Sequence, residues 1–281
     1  MARRLTTLLA SIALVLLVAP TALAAAPPND SMTSPTVIEA IPASITEDTT
    51  EATSSAGDPN YCFGGGLGPD PATVWFSYTA AATGPLGATT FGSDYDTTLY
   101  IGTVSGGSFH QIACGDDSRT VDSAVRFEAT AGVTYVFAVG TSPFAGVNGG
   151  NLVFNLDVGP PPQVVDVTLD PVGHLVKKNV VFRGTASCTA PTTFQSAVIV
   201  ELDQGFGRKA ADYIGFADIT SCPGTDIPFE VVLEPQTGKV KAGAVTLQVI
   251  FSACNDFECG NKTIESLAGT VAKMSGPAAV S

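Results

Sequence analysis

The chain has 281 residues, with 26 acidic against 13 basic side chains and only 14% charged residues. It carries 29 glycines, 19 prolines, six cysteines and two histidines. So acidic a chain is not a nucleic-acid binder that works by displacing phosphate counterions, and adsorption to anionic lipid is disfavoured for the same reason.

The first readable element is an export leader. Arg3 and Arg4 form a basic start, Leu8 to Val18 is apolar apart from Ser11, and Pro20 stops the helix. Ala22-Leu23-Ala24 then supplies the small-x-small cleavage pattern, so the expected cut falls between Ala24 and Ala25. The apolar run is about eleven residues, short of the roughly 20 that a spanning helix needs. No later segment is apolar enough to span, so no membrane insertion is expected once the leader is removed, and the protein is expected to be secreted or held in the cell envelope. Loss of Arg3 and Arg4 leaves 11 basic residues and a net charge near −15.

Beyond the leader the apolar residues alternate. Thr73 to Thr79 and Thr97 to Thr103 are rich in β-branched and aromatic residues. Val125, Phe127 and Ala129 alternate with Arg126 and Glu128; Tyr135, Phe137 and Val139 follow the turn at Ala131-Gly132; Leu152, Phe154 and Leu156 alternate with polar neighbours. Each pattern predicts a strand with one buried face. The acidic, Ser/Thr-rich stretch Thr46 to Gly57 reads as a mobile loop. Pro160-Pro161-Pro162 then removes three backbone donors in a row and predicts an extended linker. After it come Val165 to Leu169, Val180 to Thr185, Ala197 to Leu202, Tyr213 to Ile219, Phe229 to Leu233, Ala244 to Phe251 and Lys262 to Leu267. That is the strand spacing of a β-sandwich, and no window after the leader sustains a helical apolar period. The expected organisation is a signal peptide at 1–24, a first domain at 25–158, a linker at 159–163, a second domain at 164–274 and a flexible tail at 275–281.

Export makes the cysteines disulfide candidates. Cys62 and Cys114 lie before the linker; Cys188, Cys222, Cys254 and Cys259 lie after it. The favoured pairs are Cys62–Cys114, Cys188–Cys222 and Cys254–Cys259, although the four later residues permit other pairings. A zinc site at Cys254 and Cys259 is the rival, but no second Cys/His pair stands at ligand spacing.

The residues of the first half carry a family likeness. Asn29-Asp30, Cys62-Phe63-Gly64-Gly65, Thr73-Val74-Trp75-Phe76-Ser77-Tyr78-Thr79, Thr90 to Leu99 through Asp94-Tyr95-Asp96, Ala113-Cys114-Gly115-Asp116-Asp117 and Ala131-Gly132-Val133-Thr134-Tyr135 succeed one another over about 130 residues. In this order they resemble the bacterial pre-peptidase C-terminal domain; Gly115 departs from the Asn that relatives commonly carry there. The resemblance implies a jelly-roll-like sandwich and a non-catalytic accessory role in secretion, solubility or attachment to fibrous protein or polysaccharide. It also implies that calcium binding occurs in similar domains, and by analogy suggests Asn29, Asp30 and Asp70 as an oxygen set. The second half, through Gly184-Thr185-Ala186-Ser187-Cys188 and Ser221-Cys222, resembles an immunoglobulin-like module of exported bacterial proteins. The expected fold class is therefore all-β, with two tandem antiparallel β-sandwiches behind a cleaved signal peptide.

The chemistry-bearing residues are mostly carboxylates. Asp94, Asp96, Asp116, Asp117 and Asp122 fall in Gly/Ser-rich turns, and a Cys62–Cys114 bond would fix two of them beside the staple. Calcium takes six to eight hard oxygens, which clustered Asp and loop carbonyls supply. Asp also closes turns by accepting its own downstream N–H groups, and no Asp-x-Asp-x-Asp-Gly loop with a closing Glu is present, so turn chemistry stands beside structural calcium. For catalysis there is little: only His110 and His174 offer imidazoles, His174 in a turn-like Pro171-Val172-Gly173-His174, and no Gly-x-Ser-x-Gly elbow exists. Trp75 reads as packing. The Gly-rich turn Gln204 to Lys209 lacks the setting of a phosphate loop. The expectation is a secreted, non-enzymatic binding module with no catalytic residues. Its partner is an extracellular protein or polysaccharide of unknown identity, and its binding residues are unknown. A secreted hydrolase or hydrolase inhibitor, and a surface spacer without ligand, are the alternatives.

Overall fold

The computed structural model describes residues 25–62, 64, 67–118, 120–193, 196–205 and 210–273. The expected leader with Ala24, Phe63 and Gly65 of the family-like loop, the turn residues Phe206 to Lys209, and the tail lie outside the described residues. Among the described residues the protein is all-β, with no helix.

Before the prolines, two open sheets share one core. The strands are β1 (Thr36–Ile38), β2 (Ala43–Asp48), β3 (Val74–Thr79), β4 (Gly84–Thr89), β5 (Thr97–Ser105), β6 (Ser108–Asp116), β7 (Ala124–Ala129), β8 (Thr134–Thr141) and β9 (Asn151–Val158). One sheet runs β1-β3-β8-β5-β6 and the other β2-β9-β4-β7. The period-two pattern decides which face goes in. Leu152, Phe154 and Leu156 of β9 meet Phe76 and Phe137 of the larger sheet, and Phe154 stacks on Phe76 with ring centroids 4.4 Å apart.

The larger sheet is buried on its outer face too. Trp75, Tyr100, Val136 and Ala138 project outward there, under Cys62, Cys114, Phe109 and Met32. Trp75 is fully buried, its ring edge-on to Phe109 at 5.3 Å, so its packing role stands. The cover comes from the stretch between β2 and β3, pinned by the Cys62–Cys114 bond. The expected loop at 46–57 begins too early: Thr46, Glu47 and Asp48 belong to β2 and pair with Val153, Leu152 and Asn151. Ile45 supplies an inward contact for an otherwise polar edge strand, and backbone pairing overrides composition.

After the prolines come β10 (Val165–Leu169), β11 (Val172–Val176), β12 (Asn179–Cys188), β13 (Ser196–Gln204), β14 (Ala211–Asp218), β15 (Gly224–Thr237), β16 (Gly243–Cys254) and β17 (Cys259–Lys273). The expected pair of separate antiparallel sheets is corrected here. β12, β11, β17, β16, β13, β14 and β15 close into a seven-strand barrel, mixed because β11 runs parallel to β17, while β10 lies along β12. Closure depends on β14, which pairs with both β13 and β15. Opposite Asp212 and Tyr213 the register skips Gln236, so the extra residue bulges β15, and at Gly215 of β14 a Cβ would lie 2.5 Å from the Val232 carbonyl oxygen, so only glycine permits that approach. His174 is likewise corrected from a turn to strand β11, where it pairs with Val181.

The proline segment is hydrogen-bonded on both sides. Gly159 N–H donates to the Pro85 carbonyl at 3.0 Å and Arg126 Nε to the Pro160 carbonyl at 2.8 Å, while Gln163 N–H donates to Glu258 Oε1 at 2.5 Å. The Cys254–Cys259 bond closes a short loop that brings Phe257 over Gly87, where a Cβ would lie 3.0 Å from the ring. The other bonds are Cys62–Cys114, spanning 52 residues, and Cys188–Cys222, spanning 34. All three match the favoured pairing, and their number suggests an extracellular protein.

Candidate metal centre

The outer face of the larger sheet ends in a group of acids. Thr98 of β5 stands opposite Asp116 of β6, so their side chains share a face, and Asp96 lies two residues before Thr98. Asp117 follows at the start of a tight turn with φ of 51°. One carboxylate oxygen from each of Asp96, Asp116 and Asp117 lies within 4.8 Å of the others. Two ligands on one calcium ion, each about 2.4 Å from it, are at most about that far apart, so the triad is at coordination spacing.

A fourth acid comes from the covering segment. Asp70 is 1% exposed. Its Oδ2 accepts hydrogen bonds from the Thr98 and Tyr100 hydroxyls, and its Oδ1 has no hydrogen-bond partner among the described residues. Asp96 Oδ1 and Asp116 Oδ1 are also buried without such a partner. Gly140 makes room for Asp70: a Cβ there would sit 2.7 Å from Asp70 Cβ and 3.1 Å from Thr98 Oγ1. Tyr61, next to Cys62, donates its hydroxyl to Asp116 Oδ2 at 2.8 Å.

The electrostatics follow from crowding and burial. Burial, then repulsion from Asp116 and Asp117, pushes Asp96 up to about 6. Burial raises Asp116 against the lowering hydrogen bond from Tyr61, with Asp117 adding to the rise. Asp70 is raised by burial despite its bonds from Thr98 and Tyr100. Tyr61 is pushed up to about 12 by burial and the neighbouring Asp116. Clustered carboxylates, three of them with a buried oxygen that accepts no hydrogen bond among the described residues, present a hard, anionic donor set. It suits a divalent cation of the calcium type better than a soft metal, since all six cysteines are in disulfides.

The five expected acids therefore divide. Asp96, Asp116 and Asp117 converge. Asp94 does not join them: its Oδ1 accepts the Asn151 N–H at 2.8 Å and its Oδ2 the Asn151 side-chain amide at 2.7 Å, which is turn chemistry holding the start of β9. Asp122 is not one of the three that converge; its backbone carbonyl accepts the Ser118 N–H at 2.8 Å. The analogy-based set divides too. Asp30 caps Thr53, bonding its hydroxyl at 2.7 Å, and buried Asn29 donates to Glu47 Oε2 at 2.9 Å and the Trp75 carbonyl at 3.1 Å. Only Asp70 of that set reaches the acidic end of the sheet. Tyr61 was not legible as a site residue; its adjacency to Cys62 was the one available signal.

No family model matches the chain, and no curated protein matches it, so the pre-peptidase likeness of the first half rests on its residues alone. Among solved structures, two crystal structures of a GH2 beta-galacturonidase from Eisenbergiella tayi, one bound to galacturonate and one to glycerol, are similar at 10% identity. The likeness covers 70% of this chain and 37% of that chain, with a TM-score of 0.20. It is a distant match to part of a glycosidase and carries no argument about activity.

Proposed function

We propose that the protein is an exported, non-catalytic binding module whose first two sheets are braced by calcium. In this reading residues 25–158 and 164–274 are two domains, the first of the pre-peptidase C-terminal type. The second is an immunoglobulin-like sandwich that β14 has drawn closed. The observation that carries the calcium reading is the convergence of Asp96, Asp116 and Asp117 at coordination spacing with the buried, half-satisfied Asp70 beside them. Calcium would bind Asp96, Asp116 and Asp117 and relieve their mutual repulsion. It would hold the covering segment to the sheet through Tyr61 and Asp70, as the Cys62–Cys114 bond does covalently. The partner is an extracellular protein or polysaccharide, and the leader at 1–24 is the route out of the cell.

A melting experiment tests the cation. Because the ligand binds only the folded chain, calcium at about a hundred times its Kd adds about 2.7 kcal/mol. For a chain of this size that is a rise in Tm of about 5 to 10 °C over the EDTA-treated protein. Asp96→Asn and Asp116→Asn should abolish the rise, and magnesium, which demands a tighter octahedral shell, should give a smaller one. An identical Tm in calcium and EDTA would remove the metal from the proposal. Sedimentation with collagen, chitin, cellulose and peptidoglycan tests the attachment reading, and pelleting with none of them leaves the spacer alternative.

A further inference from the structure

The outer wall of the barrel carries a groove of about 730 Å³ framed by β11, β12 and β15. Its floor is aliphatic. Gly173 faces inward, where a Cβ would lie 2.5 Å from the Phe182 ring, so Val172, His174 and Val176 on the alternate positions face out. The register sets Val181 of β12 between His174 and Val232 of β15, so two valines adjoin across β12 and β15, and Val172 and Val176 flank His174 on β11. Val172, Val176 and Val232 remain 45%, 37% and 42% exposed, although outward positions of a barrel strand are ordinarily polar.

The rim is cationic. Lys177 and Lys178 form the two-residue turn between Val176 and Asn179, and Lys273 ends β17 opposite Leu175. Arg183 is engaged by Glu230, with its Nε and Nη2 at 2.9 and 2.8 Å from one carboxylate oxygen, so three lysines and His174 face Asp170 as the remaining acid of the lining. Three of the seven lysines of the chain thus gather at one groove of a protein with net charge −13. Lys177 is moreover held at φ of 58°, a turn position where Gly or Asn is the ordinary occupant.

We propose that this groove docks an acidic peptide segment of a partner protein, its aliphatic side chains on these valines and its carboxylates toward Lys177, Lys178 and Lys273. Charge complementarity selects the sign of the ligand, and the floor selects its class. Among the described residues no aromatic ring lines the groove, so they offer a sugar no stacking platform there. The valines stay too exposed to enclose a small molecule, which a dedicated pocket buries by 70–90% or roughly so. An extended chain with alternating acidic and aliphatic residues meets both features at once.

The test uses the full secreted chain and fluorescence anisotropy with a labelled Glu/Val alternating dodecapeptide, polyglutamate, a Lys/Val peptide and polygalacturonate. The Glu/Val peptide should bind best, in EDTA as well as in calcium, which separates this site from the acidic centre of the first sheets. Charge reversal by Lys177→Glu with Lys178→Glu should weaken it about tenfold or more, as should raised salt. Val172→Ser with Val232→Ser, both outward-facing and read alongside an unchanged Tm, should weaken it as well. Equal binding of polyglutamate would overturn the role of the floor, and preference for polygalacturonate would overturn the peptide assignment. Self-association of the free chain that the charge reversal abolishes would assign the groove to a second copy instead.

Discussion

Gly140 shows how one absent side chain organises the acidic end of the sheet. Its Cβ position is filled by Asp70, an acid that reaches the site from the covering segment. A Gly140→Ala substitution must push Asp70 outward against its bonds to Thr98 and Tyr100, at a cost of about 1 to 3 kcal/mol for overpacking. Urea denaturation measures that loss, and a wild-type midpoint would show that Asp70 has room to move. Gly115 is an analogous case on the opposite face: a Cβ there would lie 2.6 Å from the Ala124 carbonyl oxygen, which accounts for glycine at that position. At this scale the sequence was partly legible. The types and turns of Asp96, Asp116 and Asp117 pointed to oxygen ligands, but Asp94 looked equivalent to them until Asn151, 57 residues away, claimed it.

Among the elements, the covering segment between β2 and β3 depends on others for its place. It has few strand contacts of its own and is held by Cys62–Cys114, by Tyr61 on Asp116 and by Asp70 on β5. Replacing Cys62 and Cys114 by serine should cost roughly 4 kcal/mol, the chain-entropy value for a closed loop of this length. Because that also frees Tyr61, the calcium-induced rise in Tm should shrink in the double variant. Calorimetry with and without calcium reads both effects, and an unchanged calcium shift would mean that the segment does not support the triad. The strands themselves were largely readable from alternation. The exceptions, β2 with its acidic residues and β11 with its histidine and glycine, are defined by the partners they pair with rather than by their own composition.

The whole molecule is acidic mostly before the prolines, where residues 25–158 hold 14 acidic side chains and two basic ones, with no lysine. Several of those acids, Asp96, Asp116, Asp70, Asp58 and Glu47, are raised chiefly by burial, and Asp48, held low by Thr50, is the opposite case. A raised acid keeps its proton in the folded chain while the unfolded chain has already released it. The stability that Asp96 contributes in EDTA should therefore fall as pH rises from near 4, the unfolded value, through its folded value of about 6, and the other raised acids act in the same direction. Calcium at pH 7.5 should restore what is lost. At pH 5 it should act weakly, since it must first displace the proton. A Tm in EDTA that climbs between pH 5 and 7.5 would contradict this ordering.

From its sequence alone the chain was determined to be all-β, acidic and cysteine-paired, because alternation, charge and Cys spacing are local quantities. The sequence also assembled the oxygen donors of the acidic centre as a set of types. Tertiary structure decided which of them meet, since Asp70, Asp96 and Asp116 are neighbours only across the outer face of a folded sheet. It also decided that β14 closes a barrel, through a bulge and one close glycine approach that no periodicity encodes. The groove arose for the same reason: His174, Val181 and Val232 lie on three strands, and only their register places them side by side.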